Sequence, residues 1–459
     1  MSVREYVTPR VSISIDDTKL IAPSVGQPNI VIVVGTSQWG PLDTVTEIST
    51  LTEARTYFKG DVSAGTDVTL PKALQLLFGN GASNVKVFRI DAAAGAAVKA
   101  TKNFLKTATP VLQFDGKYYG EHGNNITVTI TTNGAGRDVV VSDGYISEQV
   151  IGAATNAAIV SGFANSNLVT VTQLTADLVD AITATNLASG ANGAGTANGD
   201  YTTALATLET VVGDIIVLAG QTDAALHASL KTHCESMALN NKPRISFVGS
   251  AVGTSVATAS AAATTLASDR VIYSYPGIKM LNEAGTEITV SAGYGAAAIA
   301  GMVASRDVNI SITNKQILGI TGLESTLNDA NLKTLINAHA LPLAEGRIGG
   351  FVPIKDITTS TNAAFSILTT RRIVDYVINN TILIGEQFIG RLNLPATRGA
   401  LKGVIDSFMT VSERNNIVED FTIDVVASRA DEILGICIVN LKLLPVFSIY
   451  YIDVNLELA

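Results

Sequence analysis

The sequence predicts a multidomain chain, α/β in its N-terminal part and α+β in its C-terminal part, on three observations. A β-branched run, Ile30-Val31-Ile32-Val33-Val34, is followed by a helical pattern and a second apolar run, Val85 to Ile90, which reads as a β-α-β unit. Strand and helix signals alternate again between Ile215 and His339, after a long interval rich in Ala, Gly, Thr and Asn. The last run, Ile452-Asp453-Val454-Asn455-Leu456-Glu457-Leu458, alternates apolar and polar as an amphipathic strand with no following strand to pair with.

Residues 1–27 form an extended arm around the short alternation Val11-Ser12-Ile13-Ser14-Ile15, punctuated by Pro9 and Pro23. Helices are expected over Leu51 to Phe58 and over Leu70 to Phe78, where Leu70, Ala73, Leu74, Leu77 and Phe78 fall on one face and Asn80-Gly81 closes the helix. Residues 28–99 and 196–345 then make one discontinuous α/β domain. Residues 100–195 form a β-rich insertion, with strands at Ile126 to Ile130 and Val139 to Val141, a short helix from Leu174 to Ala184 and a loop from Ala188 to Gly199.

Beyond the insertion, strands are expected at Ile215 to Gly220 and Arg244 to Gly249, with helices over Asp223 to Leu239, Ala257 to Ala267, Ala292 to Arg306 and Asp329 to His339. Gly349-Gly350 marks a change, and residues 346–445 read as an α+β domain. It carries a long helix from Asn362 to Ile384, another from Thr397 to Met409, and strands Phe421 to Val426 and Ile433 to Leu444. Residues 446–459 are the C-terminal arm strand. Two unpartnered strands, one near each end, are edges that soluble proteins normally blunt, so neighbouring copies are expected to complete the C-terminal sheet.

Charge narrows the function. Between Asp138 and Leu230 there is no Lys or Arg but nine acidic residues, while the rest of the chain is neutral. Such a stretch cannot neutralise phosphates, so it reads as a solvated, outward-facing acidic insertion and not a nucleic-acid surface. Despite a mean hydropathy of +0.33, no window approaches the roughly 20 apolar residues of a membrane span; Gly295 to Ala304 comes nearest. The start lacks an apolar signal core, so assembly in a cytosol is expected.

Motifs for chemistry fail where the chemistry lies. Gly35-Thr36-Ser37-Gln38-Trp39-Gly40 has phosphate-loop spacing after a buried strand, but Pro41 and Leu42 stand where Lys and Ser or Thr are needed. Four dispersed histidines, two distant cysteines and no nucleophile elbow leave no catalytic residue, no metal site and no cofactor expected. The basic residues of the 360–415 region, including Arg371, Arg372, Arg398 and Lys402, are instead candidates for contacts to an acidic protein partner.

Several segments resemble, in order and spacing, the contractile tail sheath protein of bacteriophages and related contractile injection systems. "IVIVVGTSQWGPLDTVTEISTLTEARTYFKG" is similar to the family's opening strand, Gly-Trp-Gly-Pro turn and helix, and "LPKALQLLFGNGASNVKVFRI" to its next helix and strand. "TTRRIVDYVINNTI" and "LKGVIDSFMTV" resemble its paired-Arg helix and the helix before its final strands. The resemblance implies a non-enzymatic virion tail subunit. It would stack as hexameric rings around a tail tube protein, meet baseplate and tail terminator proteins, and contract to drive the tube through an envelope. It would bind no nucleic acid directly and insert in no membrane. The expected inter-subunit strand residues are Val11, Ile13, Ile15, Ile452, Val454, Leu456 and Leu458; the expected tube-facing residues are Arg371, Arg372, Arg398 and Lys402. The alternatives are a hydrolase-like α/β enzyme or another self-assembling shell protein.

Overall fold

A computed structural model describes residues 29–60, 68–90, 97–193 and 197–456. Val11, Ile13, Ile15 and Leu458 lie outside them. The centre is an eight-stranded sheet built from β1 (Val31–Gly35), β2 (Val45–Ile48), β3 (Val85–Arg89), β4 (Ile215–Leu218), β5 (Ile245–Gly249), β6 (Val271–Tyr275), β7 (Leu341–Glu345) and β8 (Phe351–Pro353). Its order is β2-β3-β1-β4-β5-β6-β7-β8, parallel from β3 to β7 with an antiparallel strand at each edge. The β-branched runs are buried on both faces, as parallel strands covered by helices require.

Helices cover the two faces. On one side lie α1 (Leu51–Phe58), α2 (Leu70–Gly79) and α6 (Ala292–Ala304); on the other are α3 (Asn198–Thr207), α4 (Ala224–Leu239), α5 (Val256–Leu266) and, through Leu335, α7 (Asp329–Asn337). The apolar stretch of α6 is therefore a core helix, apolar all round because it is buried all round. Gly301 is required there, since a Cβ would strike the Leu77 carbonyl of α2. No helix among the described residues is long and apolar enough to cross a membrane. The sheet also runs past residue 346, because β8 pairs with β7.

Residues 97–193 separate β3 from β4 in sequence and fold around their own core of Phe104, Phe114, Ile126, Val128, Val139 and Val141. A three-stranded and a four-stranded antiparallel sheet make up most of it. The helix expected at 174–184 does not form; the described helix of the insertion is Asn156–Gly162. Asn156 explains the difference: its side chain donates to the Thr175 and Asp177 carbonyls and accepts from Val179 N, while Leu174 N donates to Val111 O. Those backbone groups are satisfied across the fold instead of along a helix.

The C-terminal unit comprises α8 (Leu368–Glu386), α9 (Pro395–Arg414), β9 (Val418–Val426), a short α10 (Arg429–Leu434) and β10 (Ile438–Pro445). Helix α8 starts six residues later than expected, because 362–367 turn back and Thr358 N and Oγ1 donate to the Ser366 and Phe365 carbonyls. The expected strand from Ile433 is interrupted by α10, which Ser428 and Asp431 cap reciprocally and Gly435 ends in the left-handed conformation.

Candidate assembly interface

The hairpin of β9 and β10 is a two-stranded ribbon held in register from Val426↔Ile438 to Phe421↔Leu443. Phe421, Ile423, Val425, Val439, Leu441 and Leu443 alternate onto one face and pack on Val404, Ile405 and Phe408 of α9. Asp420, Thr422, Asp424 and Lys442 point to the other side. Among the described residues neither outer edge of the ribbon carries a further strand. A two-stranded ribbon is marginal alone and an unpaired edge is a template for another chain.

After β10 the chain continues from Val446 to Leu456 without joining a ladder within the described residues. Val446 N donates to Ile417 O, and Tyr450 Oη donates to Asp356 Oδ1 at 2.6 Å. From Ile452 on, every described residue is exposed; Ile452, Val454 and Leu456 are 79, 79 and 81% accessible. Three aliphatic side chains on one alternating run stand in water.

The C-terminal unit is fixed to the central sheet by buried charge at the start of α8. Asp375 accepts two hydrogen bonds from Arg270, at 3.0 and 3.2 Å, and one from Arg371 at 2.7 Å; Arg371 also pairs with Asp269 at 2.9 Å. Burial works against the Arg270 charge, and Asp375 more than offsets it, so its pKa lies above the ordinary value. Arg372 donates to the carbonyls of Val303, Arg306 and Asp307 at the C-terminal end of α6 and to Asn29 Oδ1. That helix end favours a cation, but burial still pulls the Arg372 pKa down to about 10. Arg371 and Arg372 are 4 and 6% exposed. This corrects the expectation that they face a partner: both guanidinium groups are committed inside the subunit.

Arg398 and Lys402 lie on α9 nearer the surface. Arg398 donates to Glu432 at 3.0 Å and to Asn393; Lys402 donates to Ile423 O and stands 3.9 Å from Asp424, with two-fifths of its side chain exposed. Exposed Leu392, Leu394, Ile433 and Leu434 belong to the same unit. The phosphate-loop spacing is explained by the turn after β1: Thr36 N donates to Thr69 Oγ1, and Thr69 N and Leu70 N, at the start of α2, donate to Thr36 O. Those amides already have protein acceptors. His233, which accepts from Arg244, has its pKa pulled down to about 4 by burial and by that cation.

Residues 194–359 match the family model of the phage tail sheath protein central domain, and residues 360–459 match that of the phage tail sheath C-terminal domain. The chain belongs to the phage tail sheath protein family. This sheath protein is 24% identical to the tail sheath protein of Bacillus phage SP01 over 90% of its own length and 88% of that protein's. Its fold is shared with the sheath tail protein of Listeria innocua, at a TM-score of 0.72 and 19% identity, covering 93% of this chain and 94% of that one. The helical sheath of the anti-feeding prophage in its contracted state gives a TM-score of 0.59 at 12% identity, with 99% of each chain covered. The boundary between the two family domains, at residue 360, falls just before α8.

This sheath protein is thus a structural sheath subunit, and the features that matter are edges and roots instead of a cleft. Asp375, Asp269 and Asp356 were not visible as functional residues in the sequence, because the partners Arg270, Arg371 and Tyr450 respectively lie about a hundred residues away from them. Only the Arg371-Arg372 pair gave a signal, and it signalled the inner joint and not an outer face.

Proposed function

We propose that this sheath subunit polymerises as stacked rings around a tail tube and shortens to drive that tube through a target envelope, with neighbouring subunits linked by exchanged strands. In this reading residues 446–459 of one subunit lay Ile452, Val454, Leu456 and Leu458 along an open edge of a neighbour's β9–β10 ribbon. The N-terminal arm, with Val11, Ile13 and Ile15, contributes a second strand. The observation that carries the proposal is the coincidence in one unit of an unpaired ribbon edge and a projecting, alternately apolar segment.

Magnitudes fit a link that is used many times over. Burying each aliphatic side chain is worth about 1.5–3 kcal/mol and each main-chain hydrogen bond about 1 kcal/mol, against about 1–2 kcal/mol per residue for ordering the backbone. One link is close to balance. A heterologous contact repeated without closure turns many such links into a filament. Baseplate and tail terminator proteins cap the ends, energy is held in subunit packing, and no nucleotide takes part.

Arg398 and Lys402 remain the proposed contacts to an acidic tube; the Lys402–Asp424 pair is exposed and weak enough to part on contraction, and the Arg398–Glu432 pair is half-buried beside it. Electron microscopy of the purified chain tests the reading. Tubes or stacked rings support it, and discrete compact particles at all concentrations contradict it.

A further inference from the structure

The terminal segment does not leave its subunit where β10 ends. Val446, Ser448 and Tyr450 turn partly inward while Phe447, Ile449 and Tyr451 are exposed, so the chain lies along its own subunit for a further six residues. Tyr450 secures it. Its hydroxyl donates to Asp356 Oδ1, whose carboxylate is fully buried and also accepts from Thr313 Oγ1 at 3.1 Å and Thr369 Oγ1 at 2.5 Å. Asp356 sits against the first turn of α8, where its carbonyl accepts from Leu368 N and the helix's positive end favours the carboxylate. Next to it, Lys355 Nζ lies over the rings of Tyr450 and Tyr451, 5.6 and 5.5 Å from their centroids, and reaches Tyr451 Oη at 3.4 Å.

We propose that Asp356, Lys355 and Tyr450 are positioning residues that clamp the root of the terminal arm, so that the arm pivots after Tyr451 and not after Pro445. The inference rests on the strand-exchange reading above and deepens it. Its consequence is geometric. Releasing residues 446–451 would give the arm about 20 Å of additional reach at extended-strand rise. With the clamp closed, the distance at which a neighbour can be held is set by the short free segment alone. The clamp also ties the arm to α8, whose first turns carry the Arg371 and Arg372 joint to the central sheet, so a pull on the arm is delivered to the rigid body of the subunit.

The test compares nitroxide mobility at Ile449→Cys and Asp453→Cys in the dilute, unpolymerised full chain. Cys437 is replaced by Ser, and Cys234 is left buried. The label at 449 is expected to tumble at least about threefold more slowly than the one at 453. Tyr450→Phe should bring the two to the same mobility, and Lys355→Met, a surface change that leaves the core intact, should narrow the gap. Equal mobility at the two sites in the parent chain overturns the clamp, as does a gap that survives both substitutions. The measurement needs no polymer, so its failure is separate from a failure of strand exchange, which the loss or survival of tubes after arm truncation reports.

Discussion

The root of the insertion and the root of the terminal arm each depend on one buried carboxylate, but they are enclosed to different degrees. At the insertion, Asp143 accepts from His122 Nε2 at 3.0 Å and pairs with Lys59 Nζ at 2.5 Å, with the Lys59 and Asp143 side chains 1 and 0% exposed. Around them Trp39, from the turn after β1, is buried in the insertion's own core, edge-on to Tyr118 and His122. Arg89 donates to the carbonyls of Gly40 and Tyr119, one on either side of the junction. Gly120 is needed there, at φ +127°, because a Cβ would meet the Gln38 carbonyl. At the arm, Asp356 is equally buried, but what it holds of the arm is one phenol on a segment that is only partly covered. The first joint makes the insertion part of the α/β body. The second leaves Ile452 to Leu456 exposed.

The comparison predicts that damage at the two roots separates stability from assembly. Asp143→Ala leaves Lys59 buried without its carboxylate and should cost about 3–5 kcal/mol, read as a lowered denaturant midpoint. If the midpoint hardly moves, the insertion is not anchored by that pair. Acid should act at the same place. Burial opposes the Asp143 charge, yet hydrogen bonds from His122, Lys59 and the Ile146 amide hold its carboxyl well below the usual range. Its contribution is therefore fully present above the unfolded carboxylate range and is lost progressively as pH falls from about 4 towards the depressed folded value. Hydrogen exchange should show 97–193 opening ahead of β1 and β4 to β6 in that range, and Asp143→Asn should flatten the difference.

Smaller effects belong to the arm side. Tyr450→Phe removes one hydrogen bond to a carboxylate that keeps two threonine donors, so about 1 kcal/mol is expected from thermal unfolding. A loss of several would make Tyr450 a core residue and not a clamp. Reversing Lys402 to Glu should change stability by less than about 1 kcal/mol and reversing the mostly buried Arg398 by more, while each reduces assembly around the tube. Unchanged tail formation counts against tube contact by these residues.

The central sheet was legible because strands buried on both faces must be continuous β-branched runs, and Val31 to Val34 and Ile215 to Leu218 read that way directly. Periodicity likewise located α2 and α9. Long-range polar contacts were not legible. Arg371 and Arg372 look like surface charge until Asp375, Arg270 and the end of α6 are seen to enclose them, and Lys59 and Tyr450 reach carboxylates 84 and 94 residues away. Nor does spacing reveal that Asn156 occupies the backbone groups a helix at 174–184 would need. The alternation from Ile452 onward could be read as a strand, but its partner is not in the described chain.

The most direct test is truncation after Tyr451, followed by electron microscopy and thermal unfolding beside the full chain. The strand-exchange account predicts tubes from the full chain, none from the truncated one, and melting temperatures within about 2 °C of each other, since the described residues removed, Ile452 to Leu456, are exposed. Tubes of normal length from the truncated chain would contradict it.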